Sequence, residues 1–214
     1  MASKKNLKPD LAEPALSRSH IMRRKIVCVG TSTGGPRSLE QMLPEFPERL
    51  KAPVLVVQHM PAKFTKSLAE RLNRVCSISV KEAVDGEIIQ DGVVYIAPGD
   101  YHLKVRNTKT ALVVELNESE PRNGHRPSVD TLFESVAKLD GYLKIAVILT
   151  GMGSDGANGV KIIKANGPSI AIAESEQSAV IYGMPKAAAQ TRRLDYILHL
   201  KDIGKFVVDY IETR

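Results

Sequence analysis

The chain has 214 residues, 43% of them hydrophobic, which suits one domain with a sizeable core, alone or with a tail. Its formal net charge of +6 sits at the start: residues 1–25 hold seven Lys or Arg against two acids, so the rest is close to neutral. That distribution, with aromatics at 5% and no Trp, argues against nucleic-acid binding, and no apolar run approaches the ~20 residues of a membrane helix.

Residues 1–24 are polar, basic and proline-containing with no clear period, and read as a linker or tail ahead of a globular domain at 25–214. They lack the apolar core of a signal peptide, and two cysteines without a disulfide framework make a reducing cytoplasm the expected location. The apolar run 26–29 predicts a first strand, and Cys28 inside it reads as a small buried hydrophobe. With Cys76 it makes neither a disulfide framework nor a metal-ligand spacing, and no metal or cofactor is expected. Pro36 suits the first turn of a helix running to Phe46. Residues 54–57 are apolar throughout, as in a parallel strand covered on both faces. Phe64, Leu68, Leu72 and Val75 mark the next helix. Runs at 78–80, 93–96, 102–105 and 111–116 are short, β-rich and divided by Asp85-Gly86, Asp91-Gly92 and Pro98-Gly99, which predicts an antiparallel meander or hairpin at one sheet edge. After a polar loop at 117–128, Val129, Leu132, Phe133 and Val136 predict a helix capped by Ser128. Further strands are expected at 145–149, 170–173 and 196–198, with helices near 160–165, after Pro185, and along the stripe Ile203, Phe206, Val207, Tyr210 and Ile211. Alternating β and α elements imply a doubly wound, mostly parallel α/β sheet with helices on both faces.

Ligands of such sheets bind beyond the carboxyl ends of the strands. Gly30-Thr31-Ser32-Thr33-Gly34-Gly35 follows the first strand and fits Gly-x-Ser-x-Gly, the turn that lifts a serine hydroxyl above a sheet edge. His59 follows the second strand and Asp155 the strand at 145–149. A serine hydroxyl needs an imidazole to take its proton and a carboxylate to orient that imidazole, and Ser32, His59 and Asp155 supply the set. Each has a plainer alternative: Ser32 as a helix cap, His59 as a satisfied loop histidine, Asp155 as a helix N-cap. Oxyanion donors are expected in the N–H of Thr33 and in the Gly151-Met152-Gly153 turn, with Met152 favoured unless its side chain merely packs inward. A dinucleotide fingerprint fits less well, because Ser32 stands where its second glycine belongs, and Gln58 and His59 replace the ribose-binding acid.

These residues resemble the catalytic domain of the chemotaxis protein-glutamate methylesterases, the CheB family. The resemblance runs from Lys25 to about Leu200. It is carried by the serine turn, Gln58-His59-Met60-Pro61, Phe64-Thr65, Ala69-Glu70-Arg71-Leu72-Asn73, Tyr95-Ile96-Ala97-Pro98-Gly99-Asp100, His125-Arg126-Pro127-Ser128-Val129-Asp130, Leu149-Thr150-Gly151-Met152-Gly153-Ser154-Asp155-Gly156 and Tyr182-Gly183-Met184-Pro185. It implies Ser32 as nucleophile, His59 as general base then acid, Asp155 as the orienting carboxylate and Met152 in the oxyanion region. It implies hydrolysis of glutamyl methyl esters on chemoreceptor cytoplasmic helices, and in many members deamidation of receptor glutamines. The new carboxylate changes repulsion between receptor helices. His125 and Arg126 would touch the acidic receptor surface, or serve as a loop cap and a surface charge. A catalytically silent receptor-binding module of the same fold is the competing expectation. Thr31 stands where the family usually has Ala. Family members usually begin with a receiver domain, which this sequence does not contain, so the expectation is an excised catalytic fragment or a stand-alone member.

Overall fold

A computed structural model describes residues 24–213; the basic segment expected at 1–24 lies outside them, apart from Arg24. The chain alternates strands and helices: β1 (Arg24–Thr31), α1 (Gly35–Met42), β2 (Val54–Gln58), α2 (Phe64–Val75), β3 (Ser79–Glu82), β4 (Val93–Ile96), β5 (His102–Asn107), β6 (Leu112–Asn117), α3 (Val129–Ala137), β7 (Tyr142–Ile148), α4 (Ala157–Ala165), β8 (Ser169–Glu174), α5 (Met184–Gln190), β9 (Tyr196–Leu198) and α6 (Leu200–Thr213).

Seven strands form one sheet in the order β3-β4-β2-β1-β7-β8-β9, every neighbouring pair parallel. Period-two alternation sends the apolar side chains to two cores. Ile26, Cys28, Leu55, Val57, Ala146 and Ile148 pack on one face with Leu132 and Phe133 of α3, Val160 of α4 and Met184 of α5. Val27, Val29, Val54, Val56, Ile145 and Val147 pack on the other with Leu39 of α1, Leu68 and Leu72 of α2 and Val207 of α6. Burial on both faces explains why these strands read as unbroken apolar runs.

The region 78–116 divides in two. β3 and β4 are parallel members of the main sheet, not arms of an antiparallel meander. Asp85-Gly86 and Asp91-Gly92 lie in the link that carries the chain from β3 back to the start of β4, where Gly92 N–H bonds to Ala52 C=O and Gly86 N–H to Val114 C=O. The expected hairpin is β5–β6, a separate antiparallel ribbon. Its Leu103, Val105 and Val114 join the α3 side of the core.

The sheet positions the site. The chain winds outward from β1 through β2 and β4 on one side, then returns to lay β7, β8 and β9 on the other. β1 and β7 therefore flank the switch point, where the loops leaving their carboxyl ends diverge and open a crevice.

Candidate active site

The serine turn leaves β1 at this switch point. Gly34 is the N-cap of α1 with φ +84°, a left-handed conformation that lets the chain reverse into the helix. No side chain caps α1, so the Ser32 hydroxyl is not used as a cap. Ser32 is held by its backbone: its N–H bonds to Thr150 C=O at 3.0 Å, and its C=O accepts from Gly35 N–H at 2.9 Å and Gln58 Nε2 at 3.0 Å. Thr150 fastens the turn further, accepting from Thr31 Oγ1 and donating its own hydroxyl to Thr33 C=O, both at 2.9 Å. Buried Glu174, at the end of β8, accepts the Thr150 N–H at 2.8 Å.

His59 lies one residue beyond the register pair Thr31–Gln58, and its N–H bonds to Thr31 C=O at 3.1 Å. Its backbone is thus alongside Ser32, because parallel neighbours run about 4.8 Å apart. His59 Nε2 is 2.8 Å from Asp155 Oδ2, with both side chains nearly removed from solvent. The other ring nitrogen, Nδ1, is buried without a partner among the described residues. The His125 ring lies flat on His59, centroids 3.7 Å apart and planes 11° apart.

Asp155 precedes α4 but does not cap it; Gly156 is the N-cap. Its Oδ2 also takes the Val129 N–H at 2.7 Å, and its Oδ1 accepts from Ser128 Oγ at 2.9 Å, Asn123 Nδ2 at 2.9 Å and Asp130 N–H at 3.1 Å. Burial alone would raise its pKa, but the bonds from His59, Val129, Asn123 and Asp130 win and hold it well below the usual carboxylate range. The α3 N-terminus adds its positive end. Nearby Asp130, pushed up by burial, spends Oδ1 on Gly156 N–H and Gly159 N–H, which ties α4 to α3.

The opposite wall is the 150–153 turn. Gly151 N–H bonds to Ile181 C=O, and Gly151 C=O accepts from Gly183 N–H and Met184 N–H. A Cβ on Gly151 would lie 2.3 Å from Met184 Sδ and 2.8 Å from Ser32 Cβ, so only glycine permits this approach. The Met152 side chain is 66% exposed, which removes inward packing as its role. Among the described residues, the Thr33 and Met152 N–H groups donate to no acceptor.

His59 and Asp155 therefore meet, with the serine turn strapped beside them by its backbone, while neither ring nitrogen of His59 bonds to the Ser32 hydroxyl. Neither Ser32 nor Asp155 takes up the capping alternative read from the sequence for its own helix. Gln58, Asn123, Ser128 and Glu174 enter the site without having been singled out for it; Gln58 and Ser128 lay inside quoted motifs, but Asn123 stood in an aperiodic loop. Arg126 donates to Glu118 and Ser119 C=O within its own loop. A cleft of about 540 Å³ lies elsewhere, between the β5–β6 ribbon and α3, lined by Lys104, Arg106, Arg122 and Glu134 among others. None of Ser32, His59 or Asp155 lines it.

The CheB methylesterase family model matches residues 27–207. The protein-glutamate methylesterase/protein-glutamine glutaminase of Halalkalibacterium halodurans is 55% identical over 185 residues, 86% of this chain and 53% of that protein. The protein of the same description from Bacillus subtilis is 48% identical over 208 residues, 97% of this chain and 57% of its own length. The crystal structure of the Thermotoga maritima CheB methylesterase catalytic domain superposes with a TM-score of 0.83 at 43% identity, covering 87% of this chain and 98% of that one. The chain thus spans little more than half the length of these curated relatives but nearly all of that catalytic domain. With fold, site loops and sequence blocks in agreement, the chain belongs to the CheB methylesterase family.

Proposed function

We propose that this chain is a cytoplasmic serine hydrolase that removes methyl esters from glutamate side chains of chemoreceptors and deamidates receptor glutamines. The observation that carries the reading is the buried His59–Asp155 pair at 2.8 Å, with Nδ1 unpartnered and the His59 backbone tied to Thr31 of the serine turn. Ser32 Oγ attacks the ester carbonyl while His59 Nδ1 takes its proton. Asp155, held ionised, orients the ring and stabilises the imidazolium. The N–H groups of Thr33 and Met152 stabilise the oxyanion. Collapse expels methanol, or ammonia from a glutamine, with the proton from His59. Water, deprotonated by the same nitrogen, then releases the glutamate and frees Ser32.

The names of the relatives, which pair methylesterase with glutaminase, support both leaving groups. Exposed Met152 and Val180 stand by the 150–153 turn and Gly34, a rim accessible to a side chain presented by another protein. No helix among the described residues is long and apolar enough to cross a membrane.

The test is methanol release from methylated receptor by the wild type and by Ser32→Ala. Release should fall by about three or more orders of magnitude, because serine and histidine act as a unit. Unchanged release would remove Ser32 from the mechanism, and receptor binding without release by the wild type would make the chain a silent binding module.

A further inference from the structure

The side chain lying flat on His59 has no part in the proton transfers above. His125 comes from the loop between β6 and α3 and is partly buried. Its ring is parallel to that of His59 within 11° at 3.7 Å. The segment presenting it is anchored on several sides. The backbones of Arg122 and His125 exchange N–H···O=C bonds of 3.0 and 2.9 Å. The Arg122 guanidinium forks onto Glu134 of α3. Asn123 bonds to Asp130 and Asp155, and Asp100 N–H reaches Arg126 C=O.

We propose that His125 is a positioning residue for His59, setting the plane in which the Nδ1 lone pair points. This rests on His59 acting as base toward Ser32. Asp155 holds the His59 ring at Nε2 and the Cβ–Cγ bond holds it at Cγ, and a ring held at those two points still turns about the line joining them. The imidazole lone pair lies in the ring plane, and an O–H···N bond weakens steeply as it departs from linearity. The face of His125 supplies the missing constraint. Electrostatics agree: the charged and titratable neighbours acting on His125 are His59 and Asp155, and burial with His59 outweighs Asp155 to keep His125 neutral, so it tolerates the imidazolium formed next to it.

The experiment compares His125→Ala, which removes the flat face, with His125→Phe, which restores a flat ring that cannot titrate. Two rates are read: methanol release from methylated receptor, split into kcat and KM, and covalent labelling of Ser32 by phenylmethylsulfonyl fluoride, followed by mass spectrometry. In labelling, Oγ bonds to sulfur, fluoride leaves and the proton passes to His59, so no receptor is needed. The expected result is a loss of about 10- to 100-fold in kcat and labelling rate for His125→Ala with little change in KM, and recovery to within about threefold of wild type for His125→Phe. The proposal is overturned if His125→Ala labels at the wild-type rate, if His125→Phe falls as far as His125→Ala, or if the wild type does not label Ser32. A wild type that labels at Ser32 but releases no methanol would overturn the methylesterase reading and leave this one standing.

Discussion

Asp155 stands one residue ahead of the N-cap of α4, yet its carboxylate accepts the Val129 N–H at the start of α3 at 2.7 Å. One side chain thus ends α3, joins it to the β7 loop and holds His59. All its acceptor positions are occupied by donors, from His59, Val129, Ser128, Asn123 and Asp130.

Asp155→Asn therefore costs both activity and stability. An amide turns at least one donor–acceptor contact into donor against donor, whichever way it is flipped. Methanol release is expected to fall about 10³- to 10⁴-fold. Urea midpoints at pH 7 should show a loss of about 2–4 kcal/mol, the cost of orphaning buried donors and an imidazole that has lost its carboxylate. The pH dependence has a definite sign. The folded pKa of Asp155 lies below its ordinary 3.8, so its stabilisation is complete above that value and is lost as the pH falls. The gap between wild type and variant should narrow in acid; a constant gap from neutral pH into acid would contradict it.

Gly151→Ala tests whether the two loops at the switch point must touch. The added methyl meets Met184 Sδ, which can move, and Ser32 Cβ, which is less able to because the Ser32 N–H is tied to Thr150 C=O. The turn should yield by displacing Ser32. Expected is a drop in kcat of about 10²-fold, with a stability loss of about 1–3 kcal/mol from overpacking. Wild-type kcat in this variant would show that Ser32 is not the group being displaced.

Glu174 carries the opposite pH signature. It is buried, Oε1 has no partner among the described residues, and burial pushes its pKa up despite the Thr150 N–H on Oε2. A raised folded pKa means its contribution is fully present below the unfolded value of 4.5 and lost as pH rises through the folded one. Glu174→Gln removes that titration and keeps an acceptor for Thr150. Wild type should lose stability relative to the variant as the pH rises above 4.5, read as diverging urea midpoints. Parallel profiles would sink the assignment.

The legible parts of the molecule were those where one physical rule dominates. β1, β2, β7 and β8 are buried on both faces and so spell continuous apolar runs. Ser32, His59 and Asp155 each follow such a run, so strand direction alone brings their loops to one edge. β3 and β4 misread because Asp85-Gly86 and Asp91-Gly92 satisfy hairpin chemistry locally, whereas partner choice is settled by the free edge of β2, far away in sequence. The reach of the Asp155 carboxylate to the start of α3 was equally hidden, since proximity along the chain points to α4. Asn123 and His125 share a loop with no period, and only their neighbours in space give them meaning.

Asn123 supplies the last prediction. It adopts φ +53°, a left-handed conformation that Asn tolerates better than most residues, and its Nδ2 donates to Asp130 at 3.0 Å and Asp155 at 2.9 Å. It separates two carboxylates by bonding to both. Asn123→Gly keeps the backbone and deletes the bridge, and should lower kcat about tenfold as the Asp155–His59 pair loosens. Asn123→Asp keeps the shape but sets a third carboxylate against the other two, and should do more damage, easing as acid protonates the cluster. Measured as kcat and as urea midpoints across pH, the order wild type, Gly, Asp is the signature of a bridge between charges. Equal effects of Gly and Asp would mean that Asn123 serves only the turn.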